Sequence, residues 1–193
     1  MLSVIIPTHE SERTLVRTLA ALVPGAAAGL IREVIIVDAG SRDGTAEVAD
    51  VAGCRFLVSE APLAGRLSAA AAMARAAWLM FLRPGTVLDA SWIDETSRFL
   101  DADQLRDPEV VRAAAFRPAP AAGTARPALL EALILLRLGL GARPKPQQGL
   151  IIARHVYDAL GGHRTHDDPE ADLIRRLGRR VVILRSGAMV SER

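Results

Sequence analysis

Cysteine is almost missing from this chain of 193 residues, where Cys54 stands alone. A single thiol excludes an internal disulfide framework and fits a reducing compartment, so a cytoplasmic location is expected. Lysine is as scarce: Lys145 is the one lysine among 24 basic residues, and the rest are arginines. Guanidinium groups suit planar, two-point contacts to phosphate or carboxylate. The net charge is only +2, and no basic run or aromatic interleaving marks a nucleic-acid surface, so no nucleic-acid partner is expected. Aromatics make up 4% of the residues, which leaves the core to Ala, Leu, Val and Ile. No apolar run reaches the ~18 residues of a membrane span. The chain begins directly with a strand, and no signal peptide is visible. The length suits one domain burying roughly 70% of its unfolded surface.

What the sequence does have is alternation. Leu2–Ile6 reads as a short buried strand closed by Pro7-Thr8. Ser11 is placed to cap a helix whose Leu15, Leu19 and Leu22 recur at helical spacing, and Pro24-Gly25 is expected to break it. Val34-Ile35-Ile36-Val37 then runs straight into Asp38. This is a buried strand delivering an acid to its carboxyl end, where ligands bind in open α/β sheets. Asp43 is expected to cap a helix ending at Gly53. Arg55–Val58 is a third strand, Ser59–Pro62 opens an alanine-rich helix, and Trp78–Leu82 is a fourth strand. The pattern predicts βαβ units and a mainly parallel sheet with helices on both faces.

The second half is less regular. Ser91 with Asp94 has the spacing of a capping box before a helix through Leu100. A strand is expected over Val110–Phe116, a Pro/Ala/Gly loop over 118–127 and a strongly apolar helix over 127–141. That helix, about 15 residues long, falls short of a span and reads as buried. The flanking Arg137, Arg143 and Lys145 leave a membrane-surface or partner helix as the alternative. Gly149–Ala153 reads as a strand and Arg154–Leu160 as a short helix stopped by Gly161-Gly162. Asp168-Pro169 opens a helix to Gly178, and Val181–Leu184 is a last strand.

Together these residues resemble the family 2 glycosyltransferases. The resemblance is carried by Ser3–Glu10 and by Val37-Asp38-Ala39-Gly40-Ser41-Arg42-Asp43-Gly44-Thr45. Gly161-Gly162, the acidic segment after it and Leu173–Leu177 resemble the family's later block. The resemblance implies a GT-A, Rossmann-like α/β fold in a single domain over 1–193, with a nucleotide-binding half over 1–100 and an acceptor-side half over 101–193. It implies a nucleotide-diphospho-sugar donor, inverting transfer to an acceptor hydroxyl, and Mg²⁺ or Mn²⁺ in many members. Lipid-linked acceptors are common in the family, which keeps peripheral membrane contact among the expectations. The chain departs where the family places its metal-binding acids, because Arg83-Pro84-Gly85 follows the fourth strand. The nearest acid is Asp89, and Ala39 replaces a frequent base-reading acid.

The candidate residues follow. Asp38 accepts hydrogen bonds when ionised, from a nucleobase or ribose, or else from its own turn. Pro7, Thr8 and Glu10 end the neighbouring strand and form the other wall, Glu10 having a solvated helix-entry acid as its plainer reading. Gly65 and Arg66 fall in the region that the resemblance brings near the diphosphate, although Arg66 also reads as a surface arginine. Arg83 offers fixed positive charge where the family uses a metal; loss of both metal and activity is the alternative. Glu170 aligns with the family's catalytic base, or simply favours a helix N-terminus. His163, His166, Asp167 and Asp168 match no zinc pattern and read as a solvated loop. Two rival functions remain. One is a catalytically inactive binding or interaction module on the same fold. The other is a Rossmann cofactor enzyme, which lacks its glycine-rich loop here.

Overall fold

The structure is a computed structural model that describes residues 1–104, 113–119 and 143–190. Its first strands are β1 (Leu2–Thr8), β2 (Ile31–Asp38), β3 (Arg55–Val58) and β4 (Trp78–Phe81). They are joined by the helices α1 (Glu12–Ala27), α2 (Thr45–Val51) and α3 (Leu63–Met73). Then follow β5 (Thr86–Leu88), α4 (Trp92–Gln104), β6 (Ala113–Pro118), β7 (Leu150–Ala153), α5 (Arg154–Ala159), α6 (Pro169–Leu177) and β8 (Val181–Val190). The eight strands form one sheet in the order β3-β2-β1-β4-β7-β6-β8-β5. Four pairings are parallel and three antiparallel, the latter β4–β7, β6–β7 and β5–β8.

The strand order explains the layering. The chain steps from β1 to β2 to β3 in one direction, then returns across them to β4. Right-handed crossovers therefore put α1 and α2 on one face and α3 on the other. The packing agrees, since α1 rests on α2 while α3 crosses β1 and β2 and touches α6. Val4, Ile5 and Ile6 of β1 and Leu79 and Met80 of β4 are fully buried, as strands covered on both faces require. Each such side chain contributes roughly 1.5–3 kcal/mol by leaving water.

Several boundaries differ from expectation for local reasons. Helix α1 runs through Pro24 to Ala27. The proline removes one donor, but the helix end is tied by Ala28 N to the Pro24 carbonyl and Leu30 N to the Gly25 carbonyl. Gly25 is also held against Trp92, where a Cβ would stand 2.3 Å from the indole. Ser11 occupies the N-cap position of α1 without capping it, because its hydroxyl donates to the His9 carbonyl. The Ser91–Asp94 capping box does not form either: the Ser91 hydroxyl donates to Asp89. Strand β5 was not expected, and β8 continues six residues past Leu184 because it pairs with both β6 and β5. The apolar stretch 127–141 lies outside the described residues, and among these no helix is long and apolar enough to cross a membrane.

Candidate functional site

The parallel register brings the carboxyl ends of β1, β2 and β3 level, with Thr8 beside Asp38 and Asp38 beside Val58. At this edge Thr8 Oγ1 donates to Asp38 Oδ2 at 2.6 Å, and so does Ser41 Oγ at 2.6 Å. Asp38 Oδ1 accepts from the backbone N–H of Gly40 at 2.8 Å and of Ser41 at 2.6 Å. An ionised carboxylate has about four acceptor positions, and the turn fills them. Burial pushes the carboxyl pKa up, but the bonds from Ser41, Thr8 and Gly40 outweigh it and hold the group below its ordinary value. Of the two partners expected of Asp38, the structure shows its own turn, and the residue is 1% exposed. A ligand would have to displace one of these four donors.

Glu10 is similarly engaged. Its N–H donates to Ser41 Oγ at 2.8 Å, and its Oε1 accepts from Arg42 N at 2.7 Å. It is the one non-glycine with positive φ, 48°, among the described residues. Ser11 N donates to Thr45 Oγ1, Glu12 N to Asp43 Oδ2 and Gly44 N to Glu12 Oε2. The β1–α1 and β2–α2 turns are thus zipped together, and Thr8, Glu10 and Asp38 form the frame of a wall. Ser41 and the tie from Asp43 to the start of α1 were not foreseen, and the N-cap of α2 is Gly44 rather than the expected Asp43. The residue pattern Gly-Ser-x-Asp-Gly-Thr signals a polar turn but not its partner turn.

Arg66 lies at the same edge. Its Nη1 donates to the carbonyls of Val37 at 3.0 Å and Thr8 at 3.3 Å, and its Nε to that of Ala61 at 3.2 Å. It clamps the ends of β1 and β2, while Nη2 has no acceptor among the described residues. A Cβ on Gly65 would meet only Ala61 Cβ, at 3.5 Å, so the protein's own packing does not require glycine there.

The two residues of most chemical interest meet each other. Arg83, just past β4, donates from Nε at 2.8 Å and from Nη2 at 2.5 Å to Glu170 Oε2, across 87 positions of sequence. The Glu170 side chain is 7% exposed and that of Arg83 33%. Oε1 of Glu170 has no hydrogen-bond partner among the described residues. Glu170 sits in the first turn of α6, which Asp168 caps by accepting from Ala171 N at 2.9 Å.

The loop leading into α6 is pinned from inside. Gly161 and Gly162 adopt positive φ, 74° and 59°. Arg176 donates to the carbonyls of Leu160 at 2.7 Å and Gly162 at 2.6 Å and pairs with Asp172 at 2.8 Å. Arg175 also pairs with Asp172. His163 is buried against Phe81, with ring centroids 4.7 Å apart, and its Nδ1 shares a hydrogen bond with Tyr157 Oη at 2.9 Å. Burial, with Arg176 nearby, brings its pKa down to about 4, so it is a neutral core residue rather than part of a solvated loop. The sequence offered one hint, that Tyr157 is the chain's only tyrosine.

These residues do not fit a divalent cation. Such an ion needs several free oxygen ligands. Asp38 is filled by its turn and Glu170 Oε2 by Arg83. Asp89 accepts from Ser91 N, Ser91 Oγ and Gly187 N. Asp172 holds two arginines. Among the described residues no three His, Cys, Asp or Glu gather as a metal site.

A family model described as Glycosyl transferase family 2 matches residues 3–105. No curated protein matches the chain. Among solved structures, TarS of S. aureus in complex with UDP superposes with a TM-score of 0.70 at 16% identity, over 98% of this chain and 60% of that one. Glucosyl-3-phosphoglycerate synthase from Mycobacterium tuberculosis, with Mn²⁺, UDP and glucosyl-3-phosphoglycerate, gives 0.64 at 20% identity, over 100% and 72%. A mannosyltransferase from Pyrobaculum calidifontis, with GDP-Man and Mn²⁺, gives 0.65 at 18% identity, over 95% and 56%. At these identities the likeness shows the fold. This chain spans 60% of the TarS chain's length.

Proposed function

The chain belongs to glycosyl transferase family 2, and from that membership we propose that it transfers a sugar from a nucleotide-diphospho-sugar to an acceptor hydroxyl. The donor lies against residues 1–100, at the carboxyl edge framed by Pro7, Thr8, Glu10 and Asp38, with Gly65, Arg66 and Arg83 toward its phosphates. The acceptor lies on the 101–193 side, where Glu170 is the general base. Glu170 Oε1 takes the proton of the acceptor hydroxyl as its oxygen bonds to the anomeric carbon. The bond from that carbon to the diphosphate oxygen breaks, its electron pair leaves with the nucleotide, and the configuration inverts. Asp38 is filled by its turn and Glu170 Oε2 by Arg83, which leaves Mg²⁺ or Mn²⁺ few ligands at this edge.

The observation that carries the reading is the contact between Arg83 and Glu170. A buried acid with one anchored and one open oxygen stands at the strand edge where donors bind in α/β folds. Glu170→Gln tests it. Transfer is expected to fall by about 10²–10⁴, the usual worth of a general base, with donor affinity retained. A variant that transfers normally removes Glu170 from the chemistry. Wild-type protein that binds UDP or GDP yet transfers no sugar across a donor and acceptor panel favours the binding-module reading.

A further inference from the structure

We propose that Arg83, positioned by Glu170, supplies the fixed positive charge that stabilises the departing diphosphate, so that sugar transfer by this chain needs no divalent cation. The inference rests on the transferase reading and adds to it how the phosphates are held.

The argument starts from the backbone. Leu82 N donates to the Ile5 carbonyl, which ties the chain to β1 as β4 ends. Proline at 84 fixes its own φ, and Gly85 takes a φ of 87°, open to glycine at little strain. Thr86 N closes the turn on the Arg83 carbonyl, and Gly85 N bonds the Thr14 carbonyl of α1. Arg83 therefore projects from a rigid turn fastened to two elements. An arginine on such a turn is a fixed charge rather than a roaming surface cation.

Its side chain is fixed from the other half of the chain. Nε and Nη2 both donate to Glu170 Oε2, which takes up one edge of the guanidinium. Nη1 has no partner among the described residues, and a third of the side chain is exposed against 7% of its partner's. One edge is braced and another is open. That is the form of a preorganised donor for a planar, two-point contact with phosphate oxygens. Glu170 in turn is held by α6, whose start is capped by Asp168 and whose preceding loop is pinned by Arg176.

The charge arithmetic agrees. When the bond between the anomeric carbon and the diphosphate breaks, both its electrons stay on the phosphate oxygen, and the leaving nucleotide carries one more negative charge than it did in the donor. A guanidinium already in place meets that charge without reorganisation. A divalent cation at the same turn would have to displace Arg83 from Glu170 and coexist with it.

Calorimetric titration of the full chain with UDP, GDP, uridine and guanosine, in EDTA and again with Mn²⁺, tests the inference. The wild type is expected to bind one diphosphate equally well in both buffers. Arg83→Ala is expected to lower that affinity about 10–100-fold, the worth of a charge-assisted hydrogen bond, and to leave the matching nucleoside unaffected. Arg83→Lys keeps a cation beside Glu170 but loses the planar fork, and is expected to recover part of the loss. It also serves should the alanine variant not fold. Diphosphate binding that vanishes in EDTA overturns the inference and leaves the transferase reading standing. So does unchanged diphosphate affinity in the Arg83 variants. A wild type that binds no nucleotide in either buffer ends both.

Discussion

Removing the Asp38 carboxylate is expected to damage the fold before it damages any binding. Asp38→Ala deletes the acceptor for four donors: Thr8 Oγ1, Ser41 Oγ, Gly40 N and Ser41 N. Bonds to a charged group contribute about 1.5–3 kcal/mol each, so a plain sum gives roughly 6–12 kcal/mol. That sum is too large, because Gly40 is exposed and Ser41 half-buried, and water can take over their donors. Thr8 is 2% exposed and has no such replacement. A net cost of about 3–5 kcal/mol remains, a large share of the ~5–15 kcal/mol that a domain has. At this size it corresponds to a Tm lower by roughly 6–20 °C. Asp38→Asn keeps the shape and one accepting oxygen, while the hydroxyls of Thr8 and Ser41 can turn to accept from its amide, so about 1–2 kcal/mol is expected. Thermal unfolding followed by circular dichroism at neutral pH, beside UDP and GDP titrations, measures both. The wild-type contribution also has a pH signature. The folded pKa is depressed, so the stabilisation is complete above the unfolded value near 3.9 and is lost as pH falls through the lower folded value. An alanine variant that loses less than about 1 kcal/mol refutes the turn-cap reasoning. An asparagine variant of wild-type Tm that no longer binds nucleotide returns the carboxylate to the ligand.

Two further outcomes follow from packing and burial. Gly149 has a φ of 71°, and a Cβ there would stand 2.7 Å from Leu82 Cδ2. Gly149→Ala is therefore expected to cost about 2–4 kcal/mol in urea unfolding, from strained backbone and overpacking together; a neutral result contradicts that geometry. His163, with a folded pKa of about 4 against 6.5, is protonated in the unfolded chain first. Its contribution is intact above pH 6.5 and is lost between 6.5 and about 4, by about 3 kcal/mol in all. Thermal unfolding as a function of pH should flatten over that window in His163→Gln and keep its slope in the wild type.

Much of the frame was legible because it is local. Four β-branched residues in Val34–Val37 and the fully apolar Trp78–Phe81 specify strands through their composition alone, and glycine or proline marks the turns between them. The errors share one cause, which is a partner distant in sequence. Pro24 reads as a break until Trp92 is seen packed on Gly25. Three residues, Thr86–Leu88, become a strand only because β8 lies beside them. Asp38 and Arg66 were legible as residues at a strand edge. Their hydrogen-bond partners were not, since those come from a neighbouring turn and from backbone carbonyls that no motif displays. Arg83 and Glu170 were each picked out singly, and their pairing across 87 positions was beyond any spacing rule.

The order of strands in the sheet has a consequence in time. The neighbours β3, β2, β1 and β4 all come from the first 81 residues, whereas β5 waits for β8, which ends at Val190. Contacts between distant segments carry the larger loop-closure cost and form late. During synthesis the wall formed by the ends of β1 and β2 can assemble while the rest of the chain is still emerging. Arg83 then waits at the end of β4 until α6 arrives with Glu170. Completion of this edge is thereby a report on completion of the chain, and a truncated product keeps the wall without Glu170.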